Sequence, residues 1–274
     1  MSATWSNSIP FDSPKSSRWL LVARRALVPT LVFVALLTIW ETGVRTFNVP
    51  SFILPAPSVI VRDTYGVGWA LFGHAQATLT TVVGGYLCAI LISFPLAVAI
   101  SSSAVLSNAI YPLLVVKQSI PTVALAPILT VLLGTGSAAR ITIAALIALF
   151  PMVVSTATGL SSAPREMIEL SRSMDASWVR RLIDVRLPSA VPYIFSGLKV
   201  SMTLALIGAV VAEFVAAERG LGFMIYTSTA FFQLPVAFGA MIVLGLVGTV
   251  LFQTVSQIER RFFPWAIGLA ESET

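Results

Sequence analysis

Apolar residues run along this 274-residue chain in long stretches with short polar breaks between them. They follow neither the alternation of half-buried strands nor the one-sided stripe of a soluble helix. A helix that crosses a bilayer needs about 20 mostly apolar residues. On that ruler the pattern predicts six membrane helices, near residues 26–42, 78–101, 108–133, 141–160, 191–217 and 236–256. No formal charge stands between Asp63 and Lys117, a stretch too long for one helix; Gly84-Gly85, Pro95 and Ser101-Ser102-Ser103 divide it into two spans. The expected fold is therefore all-α and polytopic. A polar tail over 1–25, a transmembrane domain over 26–258 and a tail over 259–274 complete the organisation. The first apolar stretch outruns a signal peptide's core and no A-x-A pattern follows it, so it is expected to stay as a membrane helix.

Composition agrees. The chain is 57% apolar and 11% charged, with a mean hydropathy of +0.90, against about 45–50% and about 25% in soluble domains. So few charges cannot clothe a soluble core of this size. One cysteine, Cys88, rules out a disulfide framework and CxxC metal sites, and the single histidine, His74, rules out multi-histidine metal centres. No metal ligand set and no catalytic residue is expected.

The net charge of +5 acquires meaning from where the charges fall. Twelve of the 17 basic residues lie on one side: Lys15, Arg18, Arg24 and Arg25, then Arg165, Arg172, Arg180, Arg181, Arg186 and Lys199, then Arg260 and Arg261. Arg45, Arg62, Arg140 and Arg219 lie on the other, and Lys117 falls inside a span. Basic loops stay in the cytoplasm. Both termini and segment 161–188 are thus expected there. A basic nucleic-acid-binding protein would not need uncharged runs of bilayer length.

Segment 161–188 is the one sizeable charged insert. Met167, Leu170 and Met174 form an apolar stripe at helical spacing, as do Trp178, Leu182 and Val185. Asp175-Ala176-Ser177 gives a turn or cap signal between the two, and Pro188 ends the second helix. Two short amphipathic helices can dock a partner, or lie on anionic lipid; the pattern fits both.

The residues of this segment carry a resemblance. Glu169-Leu170-Ser171, three residues, Asp175, nine residues, Val185, Arg186 and Leu187-Pro188 keep the spacing of the EAA signature, E-A-A-x3-G-x9-I-x-L-P, of ATP-binding-cassette importer permeases. Asp175 stands where that signature has Gly, and Asp tolerates a left-handed turn. Leu54-Pro55-Ala56-Pro57-Ser58, Ser119-Ile120-Pro121 with Ala124-Leu125-Ala126-Pro127, Arg219-Gly220-Leu221-Gly222 and Arg260-Arg261 with Pro264-Trp265 are similar to the nitrate/sulfonate/taurine group. The resemblance implies the type I permease fold and the membrane half of an importer in the bacterial inner membrane. It implies a second permease copy, two ATPase subunits that bind ATP and magnesium, and an extracytoplasmic binding protein; no cofactor is implied for this chain. It implies ATPase coupling through Glu169, Arg172, Met174, Asp175, Ala176, Ser177, Leu187 and Pro188. No G-x4-G-K-[ST] phosphate loop occurs, and Gly134-Thr135-Gly136-Ser137 has no strand before it.

Charge inside a bilayer is expensive and usually faces a path or a partner. Lys117, beside Gln118 and Ser119 and ahead of the helix-breaking Pro121, either lines the translocation path or snorkels to the interface. Glu213 either lines the outer mouth or pairs with Arg219. A basic Lys117 favours a small anion of the nitrate, taurine/sulfonate or aromatic carboxylate class; a neutral heterocycle such as a thiamine-precursor pyrimidine is the alternative. An intramembrane enzyme would need a paired nucleophile and base, and Glu213 has no carboxylate partner in its span. A passive channel leaves the long cytoplasmic segment without a purpose. His74 is expected at the outer interface before the second span, Cys88 as a small apolar helix residue, and Trp40, Trp69 and Trp265 in interfacial belts. Gly239, Gly245 and Gly248 suggest close helix packing.

Overall fold

The computed structural model describes residues 16–119 and 121–265; within them, the side chains of residues 16–26, 104, 111, 114, 115, 117–119 and 122 lie outside the description. The helices in chain order are α1 (Ser16–Thr46), α2 (Pro57–Val67), α3 (Trp69–Ser102), α4 (Ala104–Ser119), α5 (Thr122–Leu133), α6 (Ser137–Ser161), α7 (Arg165–Ser173) and α8 (Trp178–Arg181). A π turn (Leu182–Arg186) joins α8 to α9 (Leu187–Ala216), and α10 (Leu221–Ala230) and α11 (Leu234–Phe262) follow. Among the described residues five stretches are long and apolar enough to cross a membrane: Leu27–Thr46, Trp69–Ser102, Ser137–Ser161, Trp178–Ala216 and Leu234–Phe262.

The expected third span, 108–133, is two helices. Pro121 caps α5 at φ −59°, ψ 104°, outside the helical region. Proline has no N–H to donate and its ring crowds the preceding turn, which favours a break there. Neither α4 nor α5 is long enough alone to span a bilayer.

The core is the packing of α6 between α3 and α9. Lipid tails are as apolar as leucine, so helices in a bilayer associate by close approach, and small residues allow it. Ala144 of α6 is fully buried, with Gly85 of α3 on one side and Gly208 of α9 on the other. A Cβ on Gly85 would lie 2.5 Å from the Ala144 Cβ, and one on Gly208 would lie 2.8 Å from the Ala144 Cα. Further along the same seam, Gly159 faces Ala190 and Tyr193, and Gly197 faces Ser155. Val82, Ala89, Ala148, Ala205 and Ala209 fill the remaining space with no exposed surface. The seam is also bonded: the Ser201 hydroxyl donates to the Ala148 carbonyl at 2.9 Å, and Tyr86 OH donates to the Leu198 carbonyl at 3.2 Å.

Helix α11 packs along α9. Lys199 of α9 pairs with Glu259 of α11, which is buried, and Phe195 meets Phe263 at 5.3 Å between ring centroids. Of the three α11 glycines expected to pack closely, Gly239 abuts Thr64 of α2 and Gly248 abuts Leu206 of α9. Gly245 has nothing within 4 Å of a built Cβ, because it lies on the uncovered face of the helix. Trp40 is half-buried against Phe238 at 6.1 Å instead of lying freely in an interfacial belt.

The close approach of α6 and α9 has a direct test. Gly208→Val adds bulk against backbone, and overpacking of this kind costs about 1–3 kcal/mol. It is expected to lower the thermal unfolding midpoint of the detergent-solubilised chain, whereas Gly245→Val leaves it unchanged. Equal midpoints for wild type and Gly208→Val would show that the two helices do not meet there.

Candidate functional site

The segment between α6 and α9 begins as its first stripe predicts, with a short helix and a turn. The expected second helix does not end at Pro188: α8 runs through the π turn into α9, and the π turn accommodates the missing proline N–H. Helix α7 closes with a Schellman motif: Ala176 N–H donates to the Ser171 carbonyl and Asp175 N–H to the Arg172 carbonyl, each at 3.0 Å. In that motif the residue past the helix end must be left-handed, a position usually held by glycine. Asp175 occupies it with φ 55°. The aspartate that stands in place of the signature glycine therefore adopts the backbone glycine would supply. Ser177 then caps α8, its hydroxyl accepting the Arg180 N–H at 3.3 Å.

This segment buries almost nothing within the chain. No residue of α7 or α8 is buried, and Met167, Leu170, Met174, Trp178 and Val179 are all exposed. Burying one large apolar side chain is worth about 1.5–3 kcal/mol, so the stripe leaves a substantial contact energy unused. Glu169 and Arg172 are exposed among these apolar residues. The carboxylate can accept a charge-assisted hydrogen bond from a partner. Leu187 is half-buried where the segment enters the membrane helices, and Pro188 follows it within the first turn of α9.

The proposed path residues lie at the interruption between α4 and α5. Lys117, Gln118 and Ser119 end α4, with side chains outside the described residues, and Pro121, on the far side of the break, is exposed. Irregular backbone at this depth is tolerated where it is buried in protein or lines a cavity.

Glu213 is placed differently from the expectation. Its carboxylate is 1% exposed and faces no open path, and no ion pair joins it to Arg219 among the described residues. Instead Oε2 accepts the Gly222 N–H at 2.7 Å and the Thr78 hydroxyl at 3.0 Å, while the Thr78 oxygen accepts the Leu221 N–H at 2.7 Å. Helix α10 begins at Leu221, so a carboxylate from α9 and a hydroxyl from α3 satisfy its first free N–H groups. Arg219 stays at the surface. His74 belongs to the same cluster. It lies within α3, its Nδ1 is 3.1 Å from both the N and the O of Gly220, and its ring stacks on Phe223 at 6.1 Å.

The cluster explains the Arg219-Gly220-Leu221-Gly222 run. Gly220 has φ 135°, and a Cβ there would lie 2.2 Å from the Glu213 Cδ. A Cβ on Gly222 would lie 2.9 Å from Glu213 Oε2. A second carboxylate does the same work at α2: Glu41 accepts the Ser58 N–H at 3.0 Å and the Ser58 hydroxyl at 2.7 Å, and Arg45 braces it. Pro57 opens that helix, where its missing N–H costs nothing. The Leu54–Ser58 run is thus a helix start held by a carboxylate from α1. Sequence reasoning missed Glu41, although a carboxylate 17 positions before a Pro-Ser helix start carried the signal.

A bundle of apolar helices, an interrupted span and an exposed amphipathic segment together define a membrane transport subunit. Residues 85–265 match the family described as binding-protein-dependent transport system inner membrane component, and the chain belongs to that family. The chain is 34% identical to the formylaminopyrimidine transport permease protein ThiX of Halalkalibacterium halodurans, over 88% of this chain and 96% of that protein. It is 26% identical to the taurine transport system permease protein TauC of Escherichia coli, over 90% and 92%. Inward-facing structures of the MetNI methionine ABC transporter share the fold, with a TM-score of 0.64 at 21% identity over 72% of this chain and 97% of that one. The chain is a membrane permease of the ATP-binding-cassette importer class, nitrate/sulfonate/taurine type, with the type I fold. Permeases of this class work with ATPase and substrate-binding subunits.

The outer cluster predicts a non-additive pair of substitutions. Gly220→Ala forces a strained backbone, worth about 1–3 kcal/mol, and drives a methyl group into Glu213. In a Glu213→Ala background the second cost disappears. A thermal-unfolding cycle in detergent is expected to give a coupling of about 1 kcal/mol or more between the two sites. Strict additivity would mean that Gly220 is not shaped by the carboxylate.

Proposed function

We propose that two copies of this chain form the translocation path of an inner-membrane importer for a small anionic solute, of the nitrate, taurine/sulfonate or aromatic carboxylate class. Two cytoplasmic ATPase subunits dock on α7 and α8 through Glu169, Arg172, Met174, Asp175, Ala176 and Ser177. Those subunits bind ATP and magnesium and carry the hydrolytic activity; the permease holds no cofactor. An extracytoplasmic binding protein delivers the solute to the opposite face. Both termini lie in the cytoplasm, a reading supported by twelve basic residues on that side against four on the other. The observation that carries the proposal is the exposed apolar stripe of α7, closed by a left-handed Asp175, with Glu169 exposed on the same helix.

Docking is tested in proteoliposomes that hold the permease with the ATPase subunits encoded beside it. Proline cannot adopt the φ of 55° found at Asp175. Asp175→Pro and Glu169→Ala are each expected to leave membrane insertion intact and to abolish ATP hydrolysis stimulated by the loaded binding protein. Asp175→Gly, which fits the same backbone, keeps it. Normal transport by the Glu169→Ala, Asp175→Pro double variant would reduce the segment to a membrane anchor.

One comparison favours a second substrate reading. The relative named for a formylaminopyrimidine is 34% identical and the one named for taurine is 26% identical, which supports a neutral heterocycle as the alternative solute. Lys117 separates the two. For an anion, Lys117→Arg retains uptake and Lys117→Gln, similar in length but neutral, loses most of it. Equal uptake by Lys117→Gln and wild type would remove the argument for an anion and leave the heterocycle.

A further inference from the structure

The π turn is where the cytoplasmic segment joins the membrane helices. Pro188 has no N–H, so the Asp184 carbonyl loses its α-helical donor, and the proline ring crowds that carbonyl. The chain widens instead: Leu187 N–H donates to the Leu182 carbonyl five residues back. The Ser189 hydroxyl donates to the Val185 carbonyl at 3.0 Å. Such single-turn irregularities occur frequently at functional sites.

From this turn Arg186 reaches a different helix. Its Nη1 donates to the Ser101 carbonyl at 3.0 Å. Ser101 lies in the last turn of α3, whose carbonyls have no intrahelical donors, and a cation there meets the negative end of the helix. No carboxylate pairs with Arg186 among the described residues. Among those residues, this is also the one side-chain hydrogen bond from α7, α8 or the π turn to α3.

The other end of α3 carries the outer cluster. At about 1.5 Å per residue, its 34 residues make a rod of about 51 Å. Thr78 and His74 bond to Leu221 and Gly220 near one end, and Ser101 is held by Arg186 at the other. Between them Gly84 and Gly85 press the rod against α6. We propose that Arg186 is a positioning residue for transport: it makes the α7–α8 segment and the inner end of α3 move as one body, so that displacement of the segment tilts α3 against α6. Without it, the segment is joined covalently to α6 through α7 and to α9 through the π turn, and α3 has no strap to it. The inference rests on the reading that ATPase subunits dock on α7 and α8.

The test uses the full permease with its ATPase subunits in nanodiscs, in a Cys88→Ala background, without nucleotide and with magnesium, ATP and vanadate. Spin-label pairs at Ser103→Cys with Ser173→Cys, and at Ser103→Cys with Ser161→Cys, report α3 against the segment and against α6. In wild type the 103–173 distance is expected to hold between the two states while the 103–161 distance changes. In Arg186→Ala the pattern reverses: the 103–173 distribution shifts or broadens, the change at 103–161 is lost, and basal ATP hydrolysis persists. Arg186→Lys, which can still donate to the Ser101 carbonyl, restores the wild-type pattern. Arg186→Met, which fills the space without a donor, is read in place of Arg186→Ala if that variant is not recovered from the membrane. A wild-type 103–173 distance that moves with nucleotide, or an Arg186→Ala pattern equal to wild type, overturns the strap. Loss of ATPase subunits from Arg186→Ala alone would place Arg186 in the docking surface and also overturn it. Failure of the wild type to hold those subunits is the separate failure of the docking reading.

Discussion

A helix that ends inside an apolar medium has no water to satisfy its last peptide groups, and each group left bare costs several kcal/mol on the order of a full desolvation penalty. This permease has extra helix ends to satisfy, because α2 and α10 are short and one expected span is broken. It answers with charged side chains sent from neighbouring helices. Glu41 of α1 satisfies the start of α2, Glu213 of α9 and Thr78 of α3 satisfy the start of α10, and Arg186 satisfies the end of α3. The signs follow the helix dipole each time: carboxylates at the positive ends and a guanidinium at the negative one. Each cap also joins two separate helices, and the Thr78 and Arg186 caps join helices distant in sequence, so satisfying the backbone and fixing the fold are one event.

These caps need helix backbones close enough for a short side chain to reach across. Glycine and alanine supply that closeness. Ala144 sits between Gly85 and Gly208, which sets α3, α6 and α9 within backbone contact along one seam. Thr78 can then meet the start of α10, and Glu213 can approach Gly220 because that residue has no Cβ to collide with it. The small residues and the charged caps are therefore complementary parts of one solution. Enlarging a seam residue would displace a cap some distance away, and removing a cap would leave a helix end unsatisfied.

Much of this was legible along the chain. Long apolar runs marked five of the membrane stretches, because a bilayer imposes a length that hydropathy reads directly. The segment 161–188 was legible as two amphipathic helices, and Asp175 as a left-handed turn, since both depend on local spacing and backbone preference. What escaped depends on contacts between distant positions. Glu213 was weighed against Arg219, its neighbour in sequence, whereas its partners Thr78 and Gly222 come from another helix and from the next one's start. His74 looked interfacial because nothing nearby needed it; Gly220, 146 positions away, does. The break inside 108–133 was signalled by Pro121, but the high apolarity on both sides concealed that it separates two helices too short to span alone.

The placement of charge gives the molecule its asymmetry. At the starts of α2 and α10, the charged groups that matter are folded inward: Glu213 is buried and Glu41 is engaged by Ser58 and Arg45, so both are spent on helix starts. At α7 and α8, by contrast, the charges are left exposed beside uncovered methionine, leucine and tryptophan. Uncovered apolar residues beside charged ones suit a protein partner, whose own groups can meet both kinds at once. Arg186 stands at the junction, engaged like the outer carboxylates but carried by the exposed segment. The fold thus uses the same device, a charge on a helix end, both to fix the starts of α2 and α10 and to link the end of α3 to the exposed segment.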